Sequence, residues 1–359
     1  MKLRQIIGFI MLLLSPLLAQ PMVAESGEAQ GGVNVKEVVM GHLSDAYEWH
    51  ITTWGNTHVT LPLPVIVKGE ESGWHVFSSA RFHDSPDGVY EGFHLGADGK
   101  IYEQTPDGDV RPWDISVTKN VVQLWIVVLL MLVIFLGCAR WYRGRQASDD
   151  APKGFVGLIE MFVMMVHDDV IKSNIGEKHY RPYAPYLLTV FFFIFLSNIL
   201  GLVPIFPGGA NLTGNLAITM FLALCTFLAV NLFGNREYWK DIFWPEVPLW
   251  LKCPVPLMPL IEFIGVLTKP FSLMVRLFAN VMAGHSIVLS LTCIIFVTMQ
   301  IGPAIGGTMT GISVLITIFM DAVELLVAFI QAYVFTMLSA VFIGLAHQES
   351  HSPQKEINN

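Results

Sequence analysis

The C-terminal part of the sequence places four polar or charged side chains inside otherwise apolar stretches, and their chemistry sets the first hypothesis. These residues are Arg276, His285, Glu324 and Gln331. Inserting an arginine at the centre of a membrane helix costs about 2.5–3.5 kcal/mol, so such a residue usually has a function. A histidine and a glutamate in an apolar environment can both titrate near neutral pH. We therefore expect a buried group of side chains that moves protons.

Helical spacing divides this group into two sites. Ser272 and Asn280 lie one turn on either side of Arg276, which predicts a polar stripe along that helix. His285 follows Arg276 by nine residues, about 13.5 Å along the helix axis, and points to roughly the opposite side. Arg276 and His285 therefore belong to separate sites.

The last helix has a polar stripe of its own. Glu324 and Gln331 are seven residues apart, which places them on one face of a helix. Asp321 lies one turn before Glu324, at the edge of that face. The last helix thus presents two acids and an amide along one side.

The linker between these helices predicts which residues meet. A short Gly/Pro segment, 302–307, joins them, and successive membrane crossings run antiparallel. Residues at equal distances from the turn of such a hairpin lie opposite each other. The pair Arg276 and Gln331 and the pair His285 and Glu324 are both centred near residue 304. One register therefore predicts contact within both pairs.

The two pairs predict different chemistry. His285 with Glu324 would form a proton relay in a medium of low dielectric constant. Arg276 keeps its charge and cannot relay protons. It can instead bind a carboxylate from a partner, favour the ionised form of that carboxylate and block a leak past it. Gln331 would position the guanidinium by a hydrogen bond.

The composition predicts a polytopic, all-α membrane protein. Of the 359 residues, 53% are hydrophobic and only 14% are charged, against about 25% charged in a typical soluble domain. Five apolar stretches each cover the ~20 residues that a membrane-spanning helix needs. The last two are much longer, and the 42 residues of Met258–Met299 would extend about 63 Å as a helix, so we expect both helices to lie inclined or to protrude. The stretches are Val117–Ala139, Pro185–Phe206, Leu212–Phe233, Met258–Met299 and Met309–Ala346.

Loop charges predict the orientation of the helices. Basic residues cluster in the loop 140–153, whereas the loops near Gly208 and near Gly306 carry no charge. The positive-inside rule then puts 140–153 in the cytoplasm. Five crossings give an extracytoplasmic N-terminus and a cytoplasmic tail, 350–359. The pattern of Phe155–Lys172 predicts an amphipathic helix on the cytoplasmic face of the membrane.

The N-terminus is typical of a secreted or exported segment. Lys2 and Arg4 precede the apolar run Ile6–Leu18, which is too short to span a membrane comfortably. This predicts a signal peptide over 1–24, and an uncleaved first anchor is the alternative. Residues 25–116 would then lie outside the cytoplasm. They hold fifteen Asp and Glu against five Lys and Arg, a formal charge of −10.

This acidic extracytoplasmic region predicts a small β-rich fold. Residues Val59–Val67 alternate in polarity as a strand does, and Pro62 and Pro64 predict that the strand lies at a sheet edge. Asp98 and Gly99 predict the turn of a hairpin. Six of the eleven histidines lie here, but their spacing fits no compact ligand set, so we expect no metal.

One block of the sequence resembles a known family. The residues from Lys269 to His285, KPFSLMVRLFANVMAGH, resemble the signature of the a subunit of F-type ATP synthases, the stator half of a proton channel. The resemblance extends from about Lys153 to Glu349 and includes Asn211–Asn215. Together with the first apolar stretch, which begins at Val117, it predicts a membrane domain over 117–349.

The resemblance implies a role for each matched residue. The arginine matching Arg276 faces the rotor c-ring and separates the half-channels by which protons enter and leave. His285 and Glu324 belong to the path by which protons enter, and some members of the family carry the acid and the histidine exchanged. The residues that would line the path or position the arginine are Asn215, Asn280 and Gln331.

The resemblance also implies partners and a location. The partners are the rotor c-ring, b-type peripheral stalk subunits, the catalytic head and the lipid bilayer, with no nucleic acid and no cofactor. The chain would be a non-catalytic subunit, without ATP chemistry of its own, in a bacterial inner membrane. The alternative is a self-contained proton-coupled secondary transporter. Such a transporter should show an inverted repeat and broken helices, and the sequence shows neither.

Overall fold

The computed structural model describes ten stretches of the chain, which form two compact units. The first unit comprises the residues up to Leu130 together with Ser197–Asn215 and Val281–Leu326, and the second comprises the others. The predicted signal peptide, 1–24, and the tail, 350–359, lie outside the described residues. The stretches are 44–54, 57–70, 73–85, 87–96, 98–106, 108–145, 151–203, 208–243, 257–299 and 303–347.

The N-terminal part of the first unit folds as three antiparallel sheets, so the predicted β-rich region is present. Strands β1 and β2 form one sheet, β4, β3 and β9 form the second, and β5 to β8 form a meander. The strands are β1 (Glu48–Trp54), β2 (Thr57–Pro62), β3 (Pro64–Gly69), β4 (Gly73–Ser78), β5 (Val89–Tyr90), β6 (Phe93–Leu95), β7 (Ile101–Thr105), β8 (Gly108–Val110) and β9 (Trp113–Asp114), with a short helix α1 (Ala80–Asp84) after β4.

A compact apolar core holds these sheets together. The Tyr47 hydroxyl donates a hydrogen bond to Asp114 at the side of the core. Burial raises the pKa of Tyr47, and the neighbouring Asp114 carboxylate raises it further. The core therefore joins the chain before β1 to the last strand. Its side chains are Tyr47, Val65, Val67, Phe82, Phe93 and Ile101.

The prediction of one edge strand over 59–67 is wrong. Pro62 ends β2 and Pro64 begins β3, so the two prolines separate strands of different sheets. β3 lies at the centre of its sheet, with Val65 and Val67 fully buried. A proline is tolerated as the first residue of a strand because its missing N–H then removes no ladder bond.

The predicted hairpin at Asp98 and Gly99 is confirmed. β6 and β7 pair antiparallel on either side of it. The backbone N–H of Gly96 donates to Lys100 at 2.8 Å, and Gly99 adopts a φ of 72°, in the left-handed region that glycine favours.

Five helices among the described residues are long and apolar enough to cross a membrane. The prediction of a loop over 302–307 is wrong in part, because the last helix already begins at Pro303. Proline suits the first position of a helix, where its missing N–H is not needed. The five helices are α2 (Lys119–Tyr142), α5 (Tyr180–Leu202), α6 (Leu216–Phe233), α8 (Leu257–Met299) and α9 (Pro303–Leu345), and a shorter helix α7 (Arg236–Phe243) follows α6.

The predicted amphipathic segment is helical but not regular. It starts as α3 (Phe155–Met164), widens to a π-helix over Met165–Lys172 and ends as α4 (Ser173–Ile175). The predicted apolar face divides, since Ile159 and Val166 are buried while Phe155 remains exposed.

Within the second unit, aromatic and hydroxyl contacts join these helices. Phe162 of α3, Phe195 of α5 and Phe329 of α9 contact one another with ring centroids 5.5–5.9 Å apart. The Tyr186 and Thr226 hydroxyls share a hydrogen bond of 3.0 Å, which links α5 to α6. These contacts fix the side of α9 that faces the interior.

Candidate functional site

The first unit brings His285 and Glu324 into direct contact. His285 Nδ1 lies 2.7 Å from Glu324 Oε1, and the two side chains are 15% and 10% exposed. The pairing predicted from the hairpin register is therefore confirmed for these residues. A histidine can gain a proton at one ring nitrogen and release one at the other, so this geometry suits proton transfer.

Glycines make room for this pair. A Cβ atom at Gly284 would lie 3.0 Å from Glu324 Oε1 and 3.2 Å from Glu324 Cδ. A Cβ atom at Gly201 would lie 3.5 Å from His285 Nε2. Gly284 thus lets the carboxylate approach the backbone of α8, and Gly201 places α5 beside the second nitrogen of the imidazole.

This packing leads to a prediction. Gly284→Val should push Glu324 away from His285. If the resemblance to the a subunit holds, ATP-driven proton pumping should slow by about tenfold or more, since a displacement near 1 Å can cost as much as 100-fold. The measurement is the rate of acidification of inside-out vesicles. Gly265→Val is the matched control on the same helix, because a Cβ at Gly265 meets nothing within 4 Å. Equal rates in the two variants would contradict the prediction.

A buried polar cluster in the first unit was not predicted from the sequence. The Thr213 hydroxyl donates to Asn198 Oδ1 at 2.6 Å, and the Gly214 N–H donates to Asn211 Oδ1 at 2.9 Å. Asn211 Nδ2 contacts Met282 Sδ of α8 at 3.6 Å. Polar residues within apolar spans were the signal that could have found Asn198.

Further polar atoms of the same unit are buried without a partner in the described part of the chain. They include Ser197 Oγ, Thr317 Oγ1 and both amide atoms of Gln123. Such atoms are the usual binding sites of internal water, because leaving them unpaired is costly. The first unit therefore has a polar interior as well as the His285–Glu324 pair.

Arg276 lies in the second unit and is exposed, so the expectation of a fully buried group is wrong for this residue. Ser272 and Asn280 are exposed with it. The interior positions of this part of α8 belong to Leu273 and Leu277, which are 2% and 1% exposed. The polar stripe predicted along α8 therefore exists, but it points out of the chain.

Gln331 is 6% exposed and also lies in the second unit. Among the described residues, none forms a hydrogen bond or an ion pair with the Arg276 guanidinium. The hydrogen bond expected between Gln331 and Arg276 is therefore not formed, and a positioning role for Gln331 stays a prediction.

The two remaining predicted residues belong to the first unit. Asp321 is half-buried one turn before Glu324. Asn215 is half-buried, and its backbone N–H donates to Leu212 at 3.2 Å. In the described ranges, no three His, Cys, Asp or Glu side chains converge as a metal site would require.

Comparison with known proteins identifies the family. The family model described as ATP synthase A chain matches residues 121–344, which include all five long helices apart from their outermost residues. The chain belongs to this family. It is accordingly a multi-pass membrane protein that takes part in ATP synthesis and ion transport. A second family model, a domain of unknown function (DUF8433), matches residues 38–120.

Individual members of the family align over most of the chain. ATP synthase subunit a of Chlorobium phaeobacteroides is 39% identical over 82% of this chain and 86% of its own length. ATP synthase subunit a of Chloroherpeton thalassium is 40% identical over 71% and 76%. ATP synthase subunit a 2 of Chlorobium luteolum is 37% identical over 96% and 95%, so that similarity includes the N-terminal β-rich region.

Proposed function

We propose that this chain is the proton-conducting stator subunit of the Fo sector, and that Arg276 separates the half-channels by which protons reach and leave the rotor c-ring. The observation that carries the proposal is the exposure of Arg276 on a long apolar helix, without a counter-charge among the described residues. The family membership supports the same role and gives no support to a self-contained secondary transporter.

A permanent charge in this position requires a partner. An arginine at the centre of a membrane helix costs about 2.5–3.5 kcal/mol. A carboxylate on a neighbouring subunit would offset that cost and would be held in its ionised form by the guanidinium. Ser272 and Asn280 share the exposed stripe and would supply polar contacts to the same partner surface. The c-ring is the partner that the family implies.

The His285–Glu324 pair would deliver protons toward that surface. In the tautomer that carries Nδ1–H, neutral His285 would donate a hydrogen bond to Glu324, and Nε2 would accept a proton from the water path. Loss of the Nδ1 proton to the carboxylate completes one transfer. The buried polar atoms of the first unit would hold the water that feeds the pair, and Asp321 and Asn215 would line its path.

The topology proposed here follows the sequence. Residues 1–24 serve as a signal peptide, 25–116 lie outside the cytoplasm, 117–349 form the membrane domain and 350–359 form a cytoplasmic tail. The His285–Glu324 pair then lies on the extracytoplasmic side of Arg276, because the turn between the last two helices is outside. We expect these two helices to lie inclined, α3 to lie on the cytoplasmic face, and the partners to include the c-ring, a b-type stalk and the catalytic head in a bacterial inner membrane.

Cysteine crosslinking tests the proposed rotor-facing surface. Ser272→Cys should crosslink to cysteines introduced along the outer helix of the ring-forming subunit, because Ser272 lies one turn from Arg276 on the exposed stripe. Leu267→Cys is the matched control, since it is exposed on the opposite side of the same helix. Crosslinks at position 267 and not at 272 would contradict the proposal.

A further inference from the structure

The three-stranded sheet of the N-terminal region presents an apolar outer face. Its inner face carries Val65 and Val67, which are fully buried in the core. On the outer face, Trp113 is 77% exposed, Val76 is 70% exposed and Trp74 is 58% exposed. Large apolar side chains grouped on one face usually mark an interaction surface.

Strand register arranges these side chains in two rows across the sheet. Lys68 of β3 lies opposite Trp74 of β4 and opposite Trp113 of β9, so the first row is tryptophan, lysine, tryptophan. The Lys68 ammonium lies 5.9 Å from the centre of the Trp74 ring. Side chains directly opposite each other in a sheet share a face, so all three point away from the core.

The second row is apolar throughout. Ile66 of β3 lies opposite Val76 of β4. On the other side, the Ile115 N–H donates to the Ile66 carbonyl at 3.0 Å, which continues the pairing past the end of β9. Ile115 is 60% exposed. The outer face therefore has an apolar row beside a row of two tryptophans and a lysine.

The apolar row is the one closer in sequence to the first membrane helix. Val117 donates to Pro64 at 3.1 Å, Lys119 donates to Ala46 at 2.9 Å, and the Asn120 N–H donates to the Asp45 carboxylate at 3.2 Å. The sheet is thus hydrogen-bonded through Pro64 to the residue two positions before α2, and the segment before β1 is hydrogen-bonded to the first turn of α2. Four residue steps separate Ile115 from Lys119, a distance of at most about 14 Å along an extended chain.

We propose that this outer face rests on the lipid bilayer and anchors the N-terminal region in the interface around the start of α2. Tryptophan rings and lysine side chains favour the headgroup level of a membrane, and isoleucine and valine favour the acyl boundary below it. The apolar row is the one nearer to α2 in sequence, and the row with the tryptophans and the lysine is farther away. This order matches the change from acyl boundary to headgroup level. Lys68 would contact a lipid phosphate.

The charge of the region indicates which interaction would hold it on the membrane. Residues 25–116 carry a formal charge of −10, so long-range attraction to an anionic membrane is excluded as the driving force. The anchoring is instead apolar and aromatic, and it should be equally strong on zwitterionic lipid. This assigns a membrane-interface role to the region matched by the domain of unknown function. It relies on α2 crossing the bilayer, not on the proton path.

Lipid-borne quenchers test this inference on the full chain in its purified complex. The four native cysteines are first replaced by serine, and a bimane fluorophore is attached to Val76→Cys or Ile115→Cys. The complex is reconstituted into phosphatidylcholine vesicles, with or without a nitroxide near the ester end of one acyl chain. Lys100→Cys, exposed beside the Asp98–Gly99 turn, is the control position.

The inference requires lipid nitroxide to quench the label at positions 76 and 115 at least about twofold more than at position 100. The double change Trp74→Ser and Trp113→Ser should reduce quenching at position 115 to the control level. Quenching by dissolved iodide but not by lipid nitroxide would overturn the inference. In a third outcome, the label is protected from both quenchers in the complex but not in the separately reconstituted chain. The outer face would then contact another subunit, and the inference would also be overturned. Proton pumping by the same vesicles reports separately on the proposed channel.

Discussion

Arg276→Ala should lower ATP synthesis driven by an imposed proton gradient by at least about 100-fold, while the complex still assembles. The guanidinium is the only group proposed to hold the carboxylate of the rotor in its ionised form at the boundary between the half-channels. Without it, the carboxylate can pass the boundary in its protonated form, and rotation is no longer coupled to proton release. The measurement is the initial rate of ATP synthesis in vesicles, with assembly checked by copurification of the ring and head subunits.

Two further variants make this result specific to Arg276. Val275→Ala is the matched control, because Val275 is the exposed neighbour of Arg276 on α8 and carries no charge. It should retain most of the activity. Arg276→Lys keeps the positive charge but loses the planar fork of donors, so it should remain severely impaired. Activity in the lysine variant equal to that of the unaltered chain would reduce the role of Arg276 to that of a simple charge.

The second large effect is expected at the relay. Glu324→Gln keeps the shape of the side chain but removes the carboxylate that lies 2.7 Å from His285. Proton transfer should slow by about 100-fold, the lower range of what positioned acid–base groups contribute. The measurement is the rate of ATP-driven vesicle acidification relative to the rate of ATP hydrolysis. Full activity would remove Glu324 from the relay.

Exchanging the two residues separates a relay from a structural contact. The double variant His285→Glu and Glu324→His restores an acid beside a histidine within the same helix pair, so it should recover much of the rate lost in either single variant. The effects of His285→Gln and Glu324→Gln should also be far from additive, because both remove the same interaction. Independent, additive effects would indicate that the two side chains act separately.

The contact of His285 with Glu324 was predicted from two simple regularities, and the first of them accounts for the face on which each residue lies. A helix repeats every 3.6 residues, and an antiparallel hairpin pairs residues at equal distances from its turn. The actual turn is shorter than predicted, since Pro303–Gly307 belong to α9. The linker between Met299 and Pro303 lies about three residues before the predicted centre, and Glu324 is seven residues farther from it than His285 is, about two helical turns. An offset of two turns keeps Glu324 on the same face of α9, so the two side chains still meet.

The exposure of Arg276 was not predictable from the same pattern. Periodicity shows that Ser272, Arg276 and Asn280 share a face, but it does not show which face the other helices cover. That depends on long-range packing, in which Leu273 and Leu277 occupy the interior. A charged stripe in a membrane chain suggests burial inside the chain, and the alternative, burial against another chain, has the same sequence pattern.

The β-rich region and the segment after α3 show the limits of local rules. Pro62 and Pro64 indicate interruptions, but a one-residue gap between strands of different sheets looks like one irregular strand in sequence. The π-helix at Met165–Lys172 buries Val166 and Val170, and the regular helical period assumed for this segment does not predict a π-helix.

ATP-driven acidification of inside-out vesicles carrying Arg276→Ala shows whether Arg276 couples rotation to proton movement. ATP hydrolysis and internal pH are followed in the same sample, beside the Val275→Ala control. We expect no detectable acidification in the alanine variant, at any ATP concentration, from an assembled complex whose head remains active. Acidification at the rate of the control would contradict it.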